Sequence, residues 1–207
     1  MDFMQVFTLV TGVIYIILEI RQKNLMWVVG IATSLAAMWV FFRQGLYASF
    51  GLNTYYLITA FIGLWQWGKD RQKLGTMASK KTRSARNSDK TAQKSQPAIH
   101  LNRLPWKTVL VSALVIVAGT FGMAQLMELL ENPMSYLDSA VTVMSVVATW
   151  WLVRAYIQQW WLWIVADALS TLLCISQGMW MMVVLYGAYS LSAIYGYIHW
   201  KRHGQYI

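Results

Sequence analysis

Asp167 is a carboxylate in the middle of an apolar, aromatic stretch, "WWLWIVADALSTL" (160–172). Counted from Trp160, the residues Trp163, Asp167, Ser170 and Cys174 fall at i+3, i+7, i+10 and i+14. That spacing puts all five on one face of a helix. A carboxylate at the centre of a bilayer costs at least about 2.5 kcal/mol on insertion scales, so this face is expected to look away from lipid. Two chemistries fit it. Tryptophan faces attract positive charge, and a carboxylate one turn further on would balance a flat cation lying against them. Alternatively, Asp167 only bonds to hydroxyls of adjacent helices and fixes their packing. Trp160 and Trp163 also open the segment, so an interfacial belt competes with the pocket reading.

Three more stripes carry polar groups. Asp138, Thr142, Ser145 and Thr149 stand at i, i+4, i+7 and i+11, and their hydroxyls are expected to offset part of the cost of Asp167 by hydrogen bonding. Asn53, Tyr56, Ala60, Gly63 and Trp67 form another, and Tyr186, Tyr189, Ala193, Gly196 and Trp200 a third. The candidate binding residues are therefore Trp160, Trp163, Asp167, Thr149, Ser145, Thr142, Asn53, Tyr56, Tyr186 and Tyr189. Asp138, near the end of its segment, reads as interfacial. Glu19 beside Arg21 reads as a surface pair. Trp27, Trp106, Trp150, Trp151, Trp161, Trp180 and Trp200 read as membrane-belt residues. His199 ends the last apolar segment, and His100 and His203 lie in hydrophilic ones. No His, Cys or carboxylate pair has metal-ligand spacing, and there is no phosphate loop or nucleophile elbow. No cofactor, no metal and no catalytic residues are expected.

The elements that must hold these residues are membrane helices. Of 207 residues 57% are hydrophobic and 12% charged, with 12 Trp and 12 Met, well below the charge of a soluble domain. The single cysteine allows no internal disulfide. The opening "MDFMQVF" lacks the features of a cleaved signal, so the first apolar segment is expected to be a retained helix. Seven segments approach the roughly 20 residues that cross a bilayer: 3–20, 27–43, 46–67, 107–130, 136–153, 160–177 and 179–200. Pro97, Pro105 and Pro133 all fall between them. Seven spans place 16 of the 17 Lys and Arg on one side, leaving Arg43 on the other. The positive-inside rule makes the basic side cytoplasmic, with the N-terminus outside and the C-terminus inside. The +9 net charge then belongs to loops near anionic lipid rather than to a nucleic-acid surface. Within it, "SKKTRSARNSDKTAQKSQP" (79–97) has the composition of a disordered segment.

The chain also repeats. Shifted by 133 residues, 5–69 falls on 138–202 without a gap, with twelve of 65 positions identical, about half of which biased composition alone would supply. Arg21 meets Arg154, Trp27 meets Trp160, Tyr56 meets Tyr189, Gly63 meets Gly196 and Trp67 meets Trp200; "QGLY" (44–47) meets "QGMW" (177–180). Each repeat holds three helices with one helix between, which gives two repeats of like direction, a 3+1+3 plan. The expected divisions are a first triplet (1–69), a basic loop (70–106), a linker helix (107–135), a second triplet (136–202) and a tail (203–207). Parallel repeats of this kind occur in transporters, with the substrate between them near mid-membrane.

Residues 136–202 resemble the C-terminal half of the PnuC-type vitamin transporters. The shared features are "LDS" opening the fifth span, the WxxW of Trp160 and Trp163, the "QG" turn and "YGYxxW" at the end, with "GLWQWGK" (63–69) in the first repeat. The resemblance extends over the chain outside 70–105. It implies an all-α membrane protein of seven helices, similar to the SWEET and semiSWEET plan, in the bacterial inner membrane. It also implies a homotrimer that carries nicotinamide riboside by facilitated diffusion, with the vitamin trapped afterwards by phosphorylation. The substrate would lie against the WxxW tryptophans and polar residues of the third, fifth and sixth spans. Riboside-carrying members have Gln in place of Thr149 and Asn in place of Asp167. An ionised Asp only accepts hydrogen bonds, which draws thiamine, a fixed cation with an amine, close behind nicotinamide riboside; riboflavin is carried by other relatives.

The expected function is thus a carrier for a small cationic vitamin, one triplet rocking against the other, with Gly30, Gly51, Gly63, Gly187 and Gly196 as pivots. Proton coupling through Asp167 stays open. An intramembrane enzyme would need two facing acids, and Asp138 and Asp167 stand at different depths; a non-transporting receptor is the third class.

Overall fold

The computed structural model describes residues 14–43, 47–85, 99–129, 136–176, 178 and 180–207. The first span before residue 14, residues 44–46 of the first "QG" turn, Gln177 and Met179 of the second, the loop 86–98 with Pro97, and Pro133 lie outside them. Seven helices appear at the seven expected places: α1 (14–20), α2 (Leu25–Arg43), α3 (Tyr47–Ala85), α4 (Trp106–Leu129), α5 (Tyr136–Val153), α6 (Gln159–Ser176) and α7 (Trp180–His203). By length and composition α4, α5 and α6 can each cross a membrane, and α2 supplies a shorter apolar stretch, Leu25–Trp39.

Two features depart from the sequence reading. First, α3 does not stop near Trp67 but runs on to Ala85, so the run 79–97, read as disordered, is helical over 79–85. Residues 68–85 contain no proline and are rich in Lys, Arg, Gln, Met, Leu and Ala, which favour helix, and a helix already formed extends without a new nucleus. At 39 residues it is about 58 Å long, nearly twice the hydrocarbon core. Second, the loop and tail form a two-stranded parallel sheet, β1 (Ile99–Leu101) with β2 (Gly204–Tyr206), pairing His100 with Gln205. Leu101 fits closely against Gly204, where a side chain would collide with it.

The chain divides into two compact units. The first holds α1–α3, the strand pair, residues 153–155 and the end of α7 from Trp200. Its core is aromatic: Trp67 and Trp200 are fully buried and Trp27 nearly so. Trp67 meets Trp27 edge-on at 5.1 Å and Trp200 at 6.3 Å. Trp27 and Trp200 are therefore core residues here rather than belt residues. The second unit holds α4, α5 to Leu152, α6 and α7 to His199. Pro105 precedes α4, whose first turn closes on the Pro105 carbonyl, a position where a missing N–H costs nothing. Gly178, with φ +70°, ends α6 as a left-handed cap. In this unit Trp151 is buried and donates from Nε1 to Ser112 Oγ on α4 at 3.0 Å. Trp106, Trp161 and Trp180 are exposed, as belt residues must be.

Candidate functional site

The face of α6 predicted from spacing is the buried one. Trp160, Asp167, Ser170 and Cys174 are buried, whereas Trp161, Val165, Leu172 and Ile175 on the other side are exposed. Asp167 is only 8% exposed, so it does not face lipid. From α7, Tyr186 and Tyr189 come within electrostatic range of the Asp167 carboxylate; Asp138 of α5 and Cys174 act on Tyr186 as well. The two tyrosine rings meet edge-on at 6.2 Å. The second unit thus gathers two carboxylates and two phenols from three helices.

The hydroxyl stripes behave differently from expectation. Ser145 Oγ donates to Val141 O and Thr149 Oγ1 to Ser145 O, both at 2.8 Å. On α6, Ser170 Oγ donates to Ala166 O at 2.9 Å and Thr171 Oγ1 to Asp167 O at 2.8 Å. These protons are used on the residues' own helices, so the hydroxyls present lone pairs rather than donors. Thr149 is buried, and Ser145 and Thr142 are half-buried. The described residues make no hydrogen bond to the Asp167 carboxylate, so the expected bonds from Ser and Thr of adjacent helices are not what holds it. Its oxygens remain available as acceptors.

The two tryptophans of WxxW part company. The ring end of Trp160, which is 2% exposed, rests on Gly196: a Cβ built there would sit 2.5 Å from Cη2. Trp160 therefore joins α6 to α7. Trp163, half-buried one turn before Asp167, has a buried Nε1 without a hydrogen-bond partner. Its ring is the one free of such a joint.

Asn53 and Tyr56 belong to the first unit. Both are half-buried. Tyr56 packs at 5.7 Å from the Tyr55 ring and interacts electrostatically with Tyr15 of α1, on which Glu19 also acts. Glu19 is 5% exposed, which corrects its reading as a surface pair: it is a buried acid at the end of α1. At Gly30, the residue equivalent to Trp163 in the first repeat, the Tyr15 ring comes within 3.8 Å of where a Cβ would be. The residue equivalent to Tyr15 in the second repeat is Ala148, fully buried. The first repeat thus takes its bulk from its first helix, and the second carries its ring on α6 beside the carboxylate.

A family model for nicotinamide mononucleotide transporters matches residues 2–202. The chain belongs to the nicotinamide mononucleotide transporter family. With its apolar helices it is a multi-pass membrane protein. Among relatives, it is similar to the nicotinamide riboside transporter PnuC of Haemophilus influenzae, with 29% identity over 147 residues, 71% of this chain and 56% of that one. The match therefore spans little more than half the length of that relative. The crystal structure of the vitamin B3 transporter PnuC shares the fold, with a TM-score of 0.63 over 94% of this chain and 80% of that one at 23% identity.

Gln22 and Asn102 carry no signal in the sequence, and His100 reads there only as part of a hydrophilic segment. They lie in a turn and a hydrophilic segment far apart in the chain, yet Gln22 and His100 are 3% and 2% exposed. The one sequence signal near them was the pairing of Trp67 with Trp200 under the repeat, since both rings pack in the same core.

Proposed function

We propose that the protein is a carrier that moves a small, flat, cationic vitamin across the bacterial inner membrane by facilitated diffusion, with nicotinamide riboside as substrate. One observation carries the reading: Asp167 is buried on the inward face of α6, unbonded by neighbouring side chains, one turn from Trp163 and near two tyrosine hydroxyls. A pyridinium ring against Trp163 is held by its π-face and balanced by the carboxylate. Tyr186 and Tyr189 supply donors to ribose oxygens, while Thr149 and Ser145 supply acceptors. Trp160 positions this face through its joint with Gly196.

The recurrence of the Trp–Gly joint in both repeats supports two triplets of like orientation, in keeping with the SWEET-like plan, that rock about the bound vitamin. The basic end is cytoplasmic in this reading, and a kinase there traps the product by phosphorylation. The protein assembles as a homotrimer. A specific feature keeps thiamine as the second substrate: a carboxylate, which only accepts, suits a ligand with both a fixed charge and an amine donor.

The deciding experiment measures binding of nicotinamide riboside, thiamine and riboflavin by calorimetry, then flux of the tightest one into sealed vesicles. The carrier reading requires equilibration down the gradient without ATP. Binding without flux would make the protein a receptor, and dependence on an imposed proton gradient would replace facilitated diffusion by coupling.

A further inference from the structure

Segment 99–102 is bonded to two turns that hold equivalent places in the two repeats. Gln22, between α1 and α2, has φ +48°, and Ala155, between α5 and α6, has φ +53°; under the 133-residue shift they are the same position. Neither is glycine, so each turn sets this left-handed residue against steric preference.

The segment grips the two turns unequally. The Gln22 side chain donates from Nε2 to His100 O and accepts from His100 N at Oε1, both at 2.9 Å, so that it stands in for a third strand beside β1. Both bonds are buried, and the Gln22 carbonyl accepts in turn from Arg71 Nη2 at 2.8 Å. Trp67 lies edge-on to the His100 ring at 5.5 Å. The tail closes the same side: Ile207 N donates to Leu101 O at 3.0 Å, and Trp200 Nε1 donates to Ile20 O at 3.0 Å. At the other turn Asn102 N donates to Ala155 O at 3.2 Å, and Asn102 Nδ2 to Arg154 O at 2.8 Å, a bond open to solvent. Water can replace an exposed bond with little loss, whereas a buried one is costly to break. Asn102 Nδ2 also donates its second proton to Asp70 Oδ2 at 3.4 Å, a bond on the fixed side that does not depend on the Arg154 carbonyl.

We propose that residues 99–102 form a strap across the basic end, fixed at Gln22 and the tail, with Asn102 as a catch. The catch lets go of Arg154 and Ala155 each time the carrier opens at that end. The strap rests on the carrier reading, because only a protein whose triplets separate needs a releasable contact between equivalent turns.

Two measurements on the full chain test it. Asn102→Cys with Ala155→Cys, closed by a short bis-methanethiosulfonate cross-linker that joins both thiols as reducible disulfides, fixes the catch; Cys174 is buried and stays in place. Exchange of labelled nicotinamide riboside in vesicles is expected to fall at least about tenfold and to return on reduction, with binding retained, since opening gates turnover. The comparison pair, His100→Cys with Gln205→Cys, joins β1 to β2 on the fixed side and is expected to leave exchange unchanged. Undiminished exchange with the catch closed, or equal loss in the comparison pair, overturns the proposal. The second measurement needs no transport. In the unmodified chain the Asn102 amide is expected to exchange with deuterium at least about tenfold faster than the His100 amide, because local opening sets exchange. Equal protection, or the reverse order, overturns the catch. If the unmodified chain moves no candidate vitamin, the carrier reading fails and the strap is judged by amide exchange alone.

Discussion

The ring of Trp160 rests on Gly196 as the ring of Trp27 rests on Gly63, and in both pairs a Cβ on the glycine would come within 2.5 Å of the indole. The pairs are 133 residues apart. The same helix-to-helix joint is thus built once in each repeat, from the first turn of the second helix and the seventeenth residue of the third. Of the glycines named as pivots, these two are close-packing sites; Gly51 and Gly187 have open space around them.

Gly196→Ala is expected to destabilise the protein by about 1–3 kcal/mol, the usual cost of overpacking, because a rigid ring rather than a flexible chain end meets the new methyl. Gly187→Ala, with nothing within 4 Å, is expected to be neutral or to gain up to about 1 kcal/mol from helix propensity. Thermal unfolding of the two variants in detergent checks the contrast; equal midpoints would refute the joint.

Asp167→Asn removes the charge while keeping the shape. Because riboside carriers hold Asn at this place, its affinity for thiamine is expected to fall by at least about tenfold, or 1.4 kcal/mol, relative to that for nicotinamide riboside, with riboflavin, which is uncharged, little affected. Calorimetry with the three vitamins reads this directly. A uniform loss would make Asp167 a packing residue.

Trp163→Ala and Trp151→Ala separate binding from stability. Trp151 is buried and bonded to Ser112, so its removal is expected to cost about 3–5 kcal/mol of stability. Trp163→Ala is expected to keep the unfolding midpoint nearer to that of the parent chain and to weaken vitamin binding more. The opposite ranking would mean that the α6 face is misassigned.

The strap is expected to weaken in acid. Burial pushes the His100 imidazole down to about 4, with Arg71 acting the same way and Asp70 opposing. The folded state therefore holds His100 neutral while the released segment, near the ordinary value of about 6.5, takes up a proton. The strap is at full strength above pH 6.5 and loses about 1.4 kcal/mol per pH unit as pH falls toward 4. Deuterium exchange at the His100 amide, followed across that range, should accelerate in the parent chain and stay level in His100→Asn. A level profile in both would remove His100 from the account.

Much of the fold was legible because period and charge speak locally. The i, i+3, i+7 spacing of Trp160, Trp163 and Asp167 assigned the buried face of α6, and the ends of α5 agree with the expected span residue for residue. The extension of α3 was missed because a charged run reads as solvated whether or not it is helical. The roles of Ser145 and Thr149 were missed for another reason: a hydroxyl on a helix face can bond across to a neighbour or back to its own carbonyl, and spacing does not distinguish the two.

The sequence alone determined which segments are apolar enough for a membrane, which face of α6 is buried and that the second half echoes the first, because these follow from hydrophobicity and a fixed helical period. Only the tertiary structure decided that Trp160 seats on Gly196, that Glu19 and His100 are buried, and that Gln22 completes a sheet with a strand 78 residues away. Such contacts depend on which distant surfaces meet, and no local periodicity records that.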